Sequence, residues 1–227
     1  MRIYSTFREA LNEIRRDLKE MGIPVVTGSW QDKTNFDLES GRLETLELQN
    51  YIYTVTMPHV LDLNPNQPWA EFEFRERTEY CINPGTAWEY RPDVWGQFLE
   101  KEGYFSYTYS KRLNDYGALQ ALIANFMADP YSRQHYLSIW DRDDVHQGLG
   151  KHRVPCTLGY HFQYRAGKLN IVYIMRSSDF ITHFHNDLWL ARRLQEYVAE
   201  RTHLEPGNFT HFVMSLHVFK SDVEGVF

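Results

Sequence analysis

Between Val154 and Leu190 the chain reads VPCTLGYHFQYRAGKLNIVYIMRSSDFITHFHNDLWL. Three kinds of chemistry-bearing group fall in this one stretch: the thiol of Cys156, the guanidinium and hydroxyl of Arg176-Ser177, and the carboxylate of Asp187. The thiolate is the form of cysteine that attacks carbon, and a nearby guanidinium enriches it. A guanidinium beside a hydroxyl also makes a planar donor set that suits a phosphate monoester. Each residue has a plainer use as well. Cys156 is compatible with a buried structural position, the arginine with a solvated surface, and Asp187 with a helix cap. Their company marks the stretch as a candidate active site.

Other groups carry less. Arg133 reads as a surface arginine unless a phosphate reaches it. His183 and His185 alternate in a way that could suit a metal, yet no second ligand pair accompanies them, and no metal is expected. His217, in the last apolar stretch, suits a hydrogen bond to a polar ligand.

These residues need a frame around them. At 227 residues the chain is long enough for one substantial core, so a single domain over residues 1–227 is expected. The net charge of -6, with no long basic run, argues against direct nucleic-acid binding. A nucleotide ligand needs only a few local arginines and stays open. Two cysteines, Cys81 and Cys156, make no disulfide framework, which points to a reducing cytoplasm. The charged amphipathic start does not read as a signal peptide, and no apolar run approaches the roughly 20 residues of a membrane span.

Phe7, Leu11, Ile14, Leu18 and Met21 recur at helical spacing, with Ser5 or Thr6 as N-cap and Gly22 as terminator. Ile23–Ser29 and Leu46–Met57 read as extended. The turn Asn64–Pro68 launches a helix over Trp69–Cys81, ended by Asn83-Pro84-Gly85, and a short helix starts near Pro92. Asp115–Ala128 is a second clear amphipathic helix. Tyr136–Trp140 reads as a strand, followed by a polar loop over Asp141–Arg153. Cys156–Tyr164 and Leu169–Met175 form a hairpin about Ala166-Gly167-Lys168. A helix runs from Asp187 to Arg201, and Phe209–Phe219 is a last strand. Strands and helices without a strict βαβ rhythm point to an α+β domain with a large mixed or antiparallel sheet.

Pro155-Cys156, then Arg176-Ser177-Ser178-Asp179, then a polar residue at 187 and Ser215-Leu216-His217-Val218-Phe219 together resemble the thymidylate synthase family. MRSSD, FHND and SLHV most resemble its branch of phage deoxycytidylate hydroxymethylases. The resemblance implies that family's fold, a sheet flanked by helices, and a homodimer built face to face across the sheet. It implies 5,10-methylenetetrahydrofolate as one-carbon donor and a covalent mechanism in which Cys156 adds to C6 of a pyrimidine nucleotide. Members acting on uracil carry asparagine where this chain has Asp187. An ionised carboxylate only accepts hydrogen bonds, which suits the N4 amino group of cytosine and opposes the O4 of uracil.

The same resemblance assigns further roles. Glu71 would organise water and proton transfer, with Glu73 and Glu79 as rivals. Tyr109 would stand near the nucleophile, Asp179 would meet the folate pterin, and Trp95 would wall that pocket. Arg176 and Ser177 would hold the phosphate, His217 the sugar hydroxyl, and Arg133 the phosphate in the neighbouring subunit. The family's N-terminal phosphate arginine has no clear counterpart, and Lys33 is only a candidate for it. Gln134 replaces a second arginine and Phe219 a tyrosine at the sugar. Ten residues follow His217, too few for the family's folate-closing tail, which tilts the expected product from methyl toward hydroxymethyl. The expectation is thus a cytoplasmic dCMP 5-hydroxymethylase, in an infected host cell if phage-encoded. Its alternatives are a cytidylate C5-methyltransferase and a thymidylate synthase acting on dUMP.

Overall fold

The computed structural model of the chain describes residues 1–27, 43–147 and 153–223. Its strands are β1 (Arg2–Tyr4), β2 (Ile23–Thr27), β3 (Leu43–Val55), β4 (Tyr136–Ser138), β5 (Thr157–Arg165), β6 (Lys168–Asp179) and β7 (Pro206–Phe219). Its α-helices are α1 (Phe7–Met21), α2 (Trp69–Glu79), α3 (Pro92–Trp95), α4 (Tyr109–Asn114), α5 (Ala118–Ala128), α6 (Asp144–Gln147), α7 (Phe184–Arg201) and α8 (Lys220–Val223).

The strands form one mixed sheet in the order β1-β3-β7-β6-β5-β4, with β2 also paired to β3. β3 runs antiparallel to β7, and β5 antiparallel to β6. At the centre β6 and β7 are parallel, and α7 makes the crossover that a parallel pair requires. The α+β architecture expected from the sequence is the one found.

Local chemistry explains most boundaries. The α1 stripe of Phe7, Leu11, Ile14 and Leu18 is buried, while Met21 at its end is exposed. Thr6 is the N-cap and accepts from Glu9 N, and Glu9 reaches back to accept from Ser5 N at 2.7 Å. α2 stops at Glu79, two residues short of the expected end, because Tyr80 turns to φ 52°. α5 starts at Ala118 instead of Asp115, since Tyr116 (φ 56°) and Gly117 (φ 67°) are left-handed and break the helix. Ala166 (φ 51°) and Gly167 (φ 76°) are both positive, the two-residue turn that matches strand twist. Arg165 and Lys168 therefore pair directly.

β6 is longer than expected: Arg176 to Asp179 continue the strand, pairing with β7 as far as Asp179 opposite His217. α7 begins at Phe184, so Asp187 lies inside its first turn and does not cap it. The helix buries Phe184, Leu188, Leu190, Ala191, Leu194 and Val198. Each large apolar side chain of that set stabilises the packing by roughly 1.5–3 kcal/mol. β1, α4, α6 and α8 were not expected from the sequence. No helix among the described residues is long and apolar enough to cross a membrane.

Candidate active site

The concave side of the molecule holds a cleft of about 420 Å³. Its walls come from β3, β6 and β7, from the first turn of α7, from α2 and α4, and from the segment leading into β5. Cys156, Arg176, Ser177, Asp179, Asp187, His217, Tyr109 and Trp95 all line it. Residues far apart in sequence thus converge on one volume.

The thiol is placed by its neighbour strand. Arg176 N donates to the Cys156 carbonyl at 2.8 Å. The Arg176 side chain returns along the same segment, with Nε donating to Pro155 O at 2.9 Å and Nη2 to Val154 O at 3.1 Å. Nη2 also lies 3.7 Å from Cys156 Sγ. A permanent positive charge therefore stands against the atom that must carry negative charge to attack carbon. Two of the guanidinium's nitrogens are committed to carbonyls, so Arg176 positions the nucleophile as well as facing the cleft. Beyond it, Thr157 N donates to Tyr109 Oη at 3.5 Å, and burial pushes the Tyr109 phenol well above its usual range.

On α2 the structure separates the three candidate glutamates by the face each occupies. Glu71 does not line the cleft; it is partly exposed and lies 3.8 Å from Arg193. Glu79 is also outside, 3.6 Å from Arg75. Glu73 faces in, accepting from Arg77 Nε at 2.9 Å. Two residues along a helix turn the side chain by about 200°, so Glu71 and Glu73 cannot share a face. Arg77 is buried, and its guanidinium stacks 4.3 Å from the Tyr109 ring centre. Sequence reasoning missed Arg77, although Glu73 and Arg77 stand at the i,i+4 spacing of a helical ion pair. It also missed Glu76, which accepts from Ala87 N at 2.7 Å and from Thr86 N. Burial raises the pKa of Glu76. Gly85 leaves room for this carboxyl: a Cβ there would fall 2.0 Å from it and force Glu76 to shift.

Asp187 is half-buried and accepts from Ser178 Oγ at 2.9 Å. Burial pushes its carboxyl up to about 6, against the opposing pull of His183, Ser178 and Arg77. Ser178 belongs to the quoted MRSSD run but offered no separate signal. Next to it, Asn186 clamps the loop before α2: its Oδ1 accepts from Asn66 N at 2.7 Å and its Nδ2 donates to Asn66 Oδ1 at 2.9 Å.

Asp179 spends one oxygen on the turn after β6, accepting from Ile181 N at 3.0 Å and Thr182 N at 3.4 Å. His217 stands opposite it on β7, and burial lowers its pKa. Phe219 meets the His217 ring edge-on at 5.3 Å. Trp95 stacks on Trp69 at 5.6 Å and carries the Arg153 guanidinium 4.5 Å from its centre. The Trp95 indole N–H is buried with no hydrogen-bond partner among the described residues. A flat heteroaromatic group with acceptor atoms fits such a wall, and a folate pterin is one.

Arg133 and Gln134 are exposed ahead of β4 and do not line this cleft. Lys33 lies outside the described residues. His183 faces the cleft, whereas His185 Nδ1 accepts from Asn64 N at 3.1 Å, and no metal-binding cluster occurs among the described residues.

The family model for thymidylate synthase matches residues 12–227. A "Putative thymidylate synthase" from Methanosarcina mazei is 30% identical over 208 residues, covering 87% of this chain and 88% of that protein. The thymidylate synthase of Mycoplasma pneumoniae is 27% identical over 133 residues, 57% of this chain and 45% of the relative. This chain thus spans under half of that relative's length. The solved thermostable thymidylate synthase A of Bacillus subtilis shares the fold at TM-score 0.77 and 18% identity, covering 98% of this chain and 83% of the other. The chain belongs to the thymidylate synthase family. That family comprises one-carbon transferases that draw on 5,10-methylenetetrahydrofolate.

Proposed function

We propose that this protein hydroxymethylates C5 of a cytidine monophosphate, dCMP first among them. The observation that carries the reading is the half-buried carboxylate of Asp187 on the cleft wall, at the position that reads the base in the motif it resembles. Ionised, it accepts from the N4 amino group and shares a proton at N3; it has nothing to donate to a carbonyl at that place.

Cys156 Sγ forms a bond to C6, and the C5 carbon becomes the nucleophile. Bound methylenetetrahydrofolate supplies a one-carbon unit to that carbon. The Arg176 guanidinium stabilises the sulfur as it arrives and as it leaves. Arg77 holds Glu73 in place as a carboxylate facing the cleft, where it orients the water that completes the hydroxymethyl group. Loss of the C5 proton frees the new carbon from its carrier amine, which leaves with the folate; water then adds to that carbon, and release of Cys156 restores the base. Asp179 and the Trp95–Trp69 pair hold the pterin; Ser177 and Arg176 face the phosphate. In a homodimer, Arg133 reaches the neighbouring subunit's nucleotide.

Hydroxymethylation over methylation is supported by the MRSSD, FHND and SLHV runs and their likeness to phage deoxycytidylate hydroxymethylases. A thymidylate synthase reaction on dUMP is the second reading, favoured by the names of the relatives. Tritium release from C5-labelled dCMP tests the shared covalent step. It is expected from the intact protein and to vanish in Cys156→Ala, which still binds nucleotide; undiminished release removes the mechanism.

A further inference from the structure

Asp179, His217 and Glu47 stand in one cross-strand row. Asp179 on β6 pairs with His217 on β7, and His217 pairs with Glu47 on β3. β3 and β7 are antiparallel, so Glu47 and His217, directly opposite, lie roughly 4.5–5.5 Å apart at Cβ. Glu47, half-buried, lines the cleft, as does Phe219. Its oxygens are only partly used: Oε2 accepts from Ser215 Oγ, and Oε1 accepts from Gln49 Nε2 at 3.1 Å. A carboxylate offers about four lone-pair sites, so acceptor capacity remains toward the cleft.

An anion here repels phosphate and accepts from a donor. A deoxynucleoside monophosphate carries one free sugar hydroxyl, at the 3′ position, and a hydroxyl donating to a carboxylate makes one of the stronger hydrogen bonds. Phe219 offers that hydroxyl no polar partner. We propose that Glu47 accepts the hydrogen bond of the 3′-hydroxyl and sets the sugar requirement of the site, a role that rests on the nucleotide reading above.

The test compares binding of dCMP and 2′,3′-dideoxycytidine 5′-monophosphate by calorimetry. The intact protein is expected to prefer dCMP by about 10- to 100-fold, the range of a hydrogen bond to a charged group. Glu47→Ala should weaken dCMP, leave the dideoxy analogue almost unchanged, and so erase the preference. Glu47→Gln keeps the side chain's shape and the Ser215 contact, and should cut the preference several-fold. An unchanged preference in both variants, the result expected if His217 alone takes the hydroxyl, overturns the assignment, as does equal weakening of both ligands. If the intact protein releases tritium from C5-labelled dCMP while the variants keep the preference, only the Glu47 role falls. If the intact protein neither binds nor turns over dCMP, the nucleotide reading falls with it.

Discussion

The Ser178 hydroxyl donates to Asp187 Oδ2 at 2.9 Å, tying the end of β6 to the first turn of α7. The bond fixes the carboxylate's direction, while burial makes its charge expensive and pushes its pKa from 3.8 up to about 6. The folded protein therefore holds this proton to higher pH than the unfolded chain does. The resulting destabilisation is absent below about pH 4, grows as pH rises through 6, and levels off at about 3 kcal/mol. Asp187→Asn removes the ionisable group. Calorimetric melting should show the variant gaining several degrees over the parent at neutral pH and little in acid. Equal shifts at both would contradict a buried charge as the cause.

The same titration bears on base choice. Above pH 6 the ionised carboxylate accepts only; below it, the neutral acid donates through its O–H and accepts through its carbonyl, as an amide does. The ratio of dUMP to dCMP turnover should therefore rise as pH falls through about 6, and Asp187→Asn should favour dUMP at every pH. A ratio indifferent to pH and to the substitution would mean that another residue reads the base.

Much of this site was legible because it is local in sequence. Cys156, Arg176, Asp179 and Asp187 sit on consecutive elements, so their motif order forecast their meeting. Glu73 was not separable from Glu71 by motif, because the two differ in which face of α2 they occupy, and that is decided by Arg77 and Tyr109 packing against it. Glu47 gave no signal at all: only the β3–β7 register brings it opposite His217. Two helix boundaries slipped at left-handed residues, Tyr80 and Tyr116, whose side chains do not announce that conformation.

Arg176 should resist conservative replacement. Lysine keeps a charge but cannot reach Val154 O, Pro155 O and Sγ from a planar fork. Alkylation of Cys156 by iodoacetamide should slow by about tenfold in Arg176→Lys, equivalent to about 1.4 kcal/mol of lost charge stabilisation. An unchanged alkylation rate would show that the guanidinium does not act on the sulfur.

The two glutamates of α2 give opposite forecasts. Glu73→Gln removes the cleft-facing carboxylate and leaves Arg77 buried without its ion-pair partner, so turnover should fall by about 100-fold, the usual scale of proton-transfer catalysis. Glu71→Gln touches a partly exposed contact with Arg193 and should change turnover by less than about twofold. Steady-state rates decide between them, and the reverse ranking would return the role to Glu71.

The most direct measurement is the mass of the product formed from dCMP, with dUMP as competitor, in the presence of methylenetetrahydrofolate. The proposed chemistry gives a cytidylate heavier by one CH2O unit, formed without dihydrofolate and absent in Cys156→Ala. Recovery of unmodified dCMP beside a uridylate heavier by one CH2, with dihydrofolate appearing in step, would contradict it.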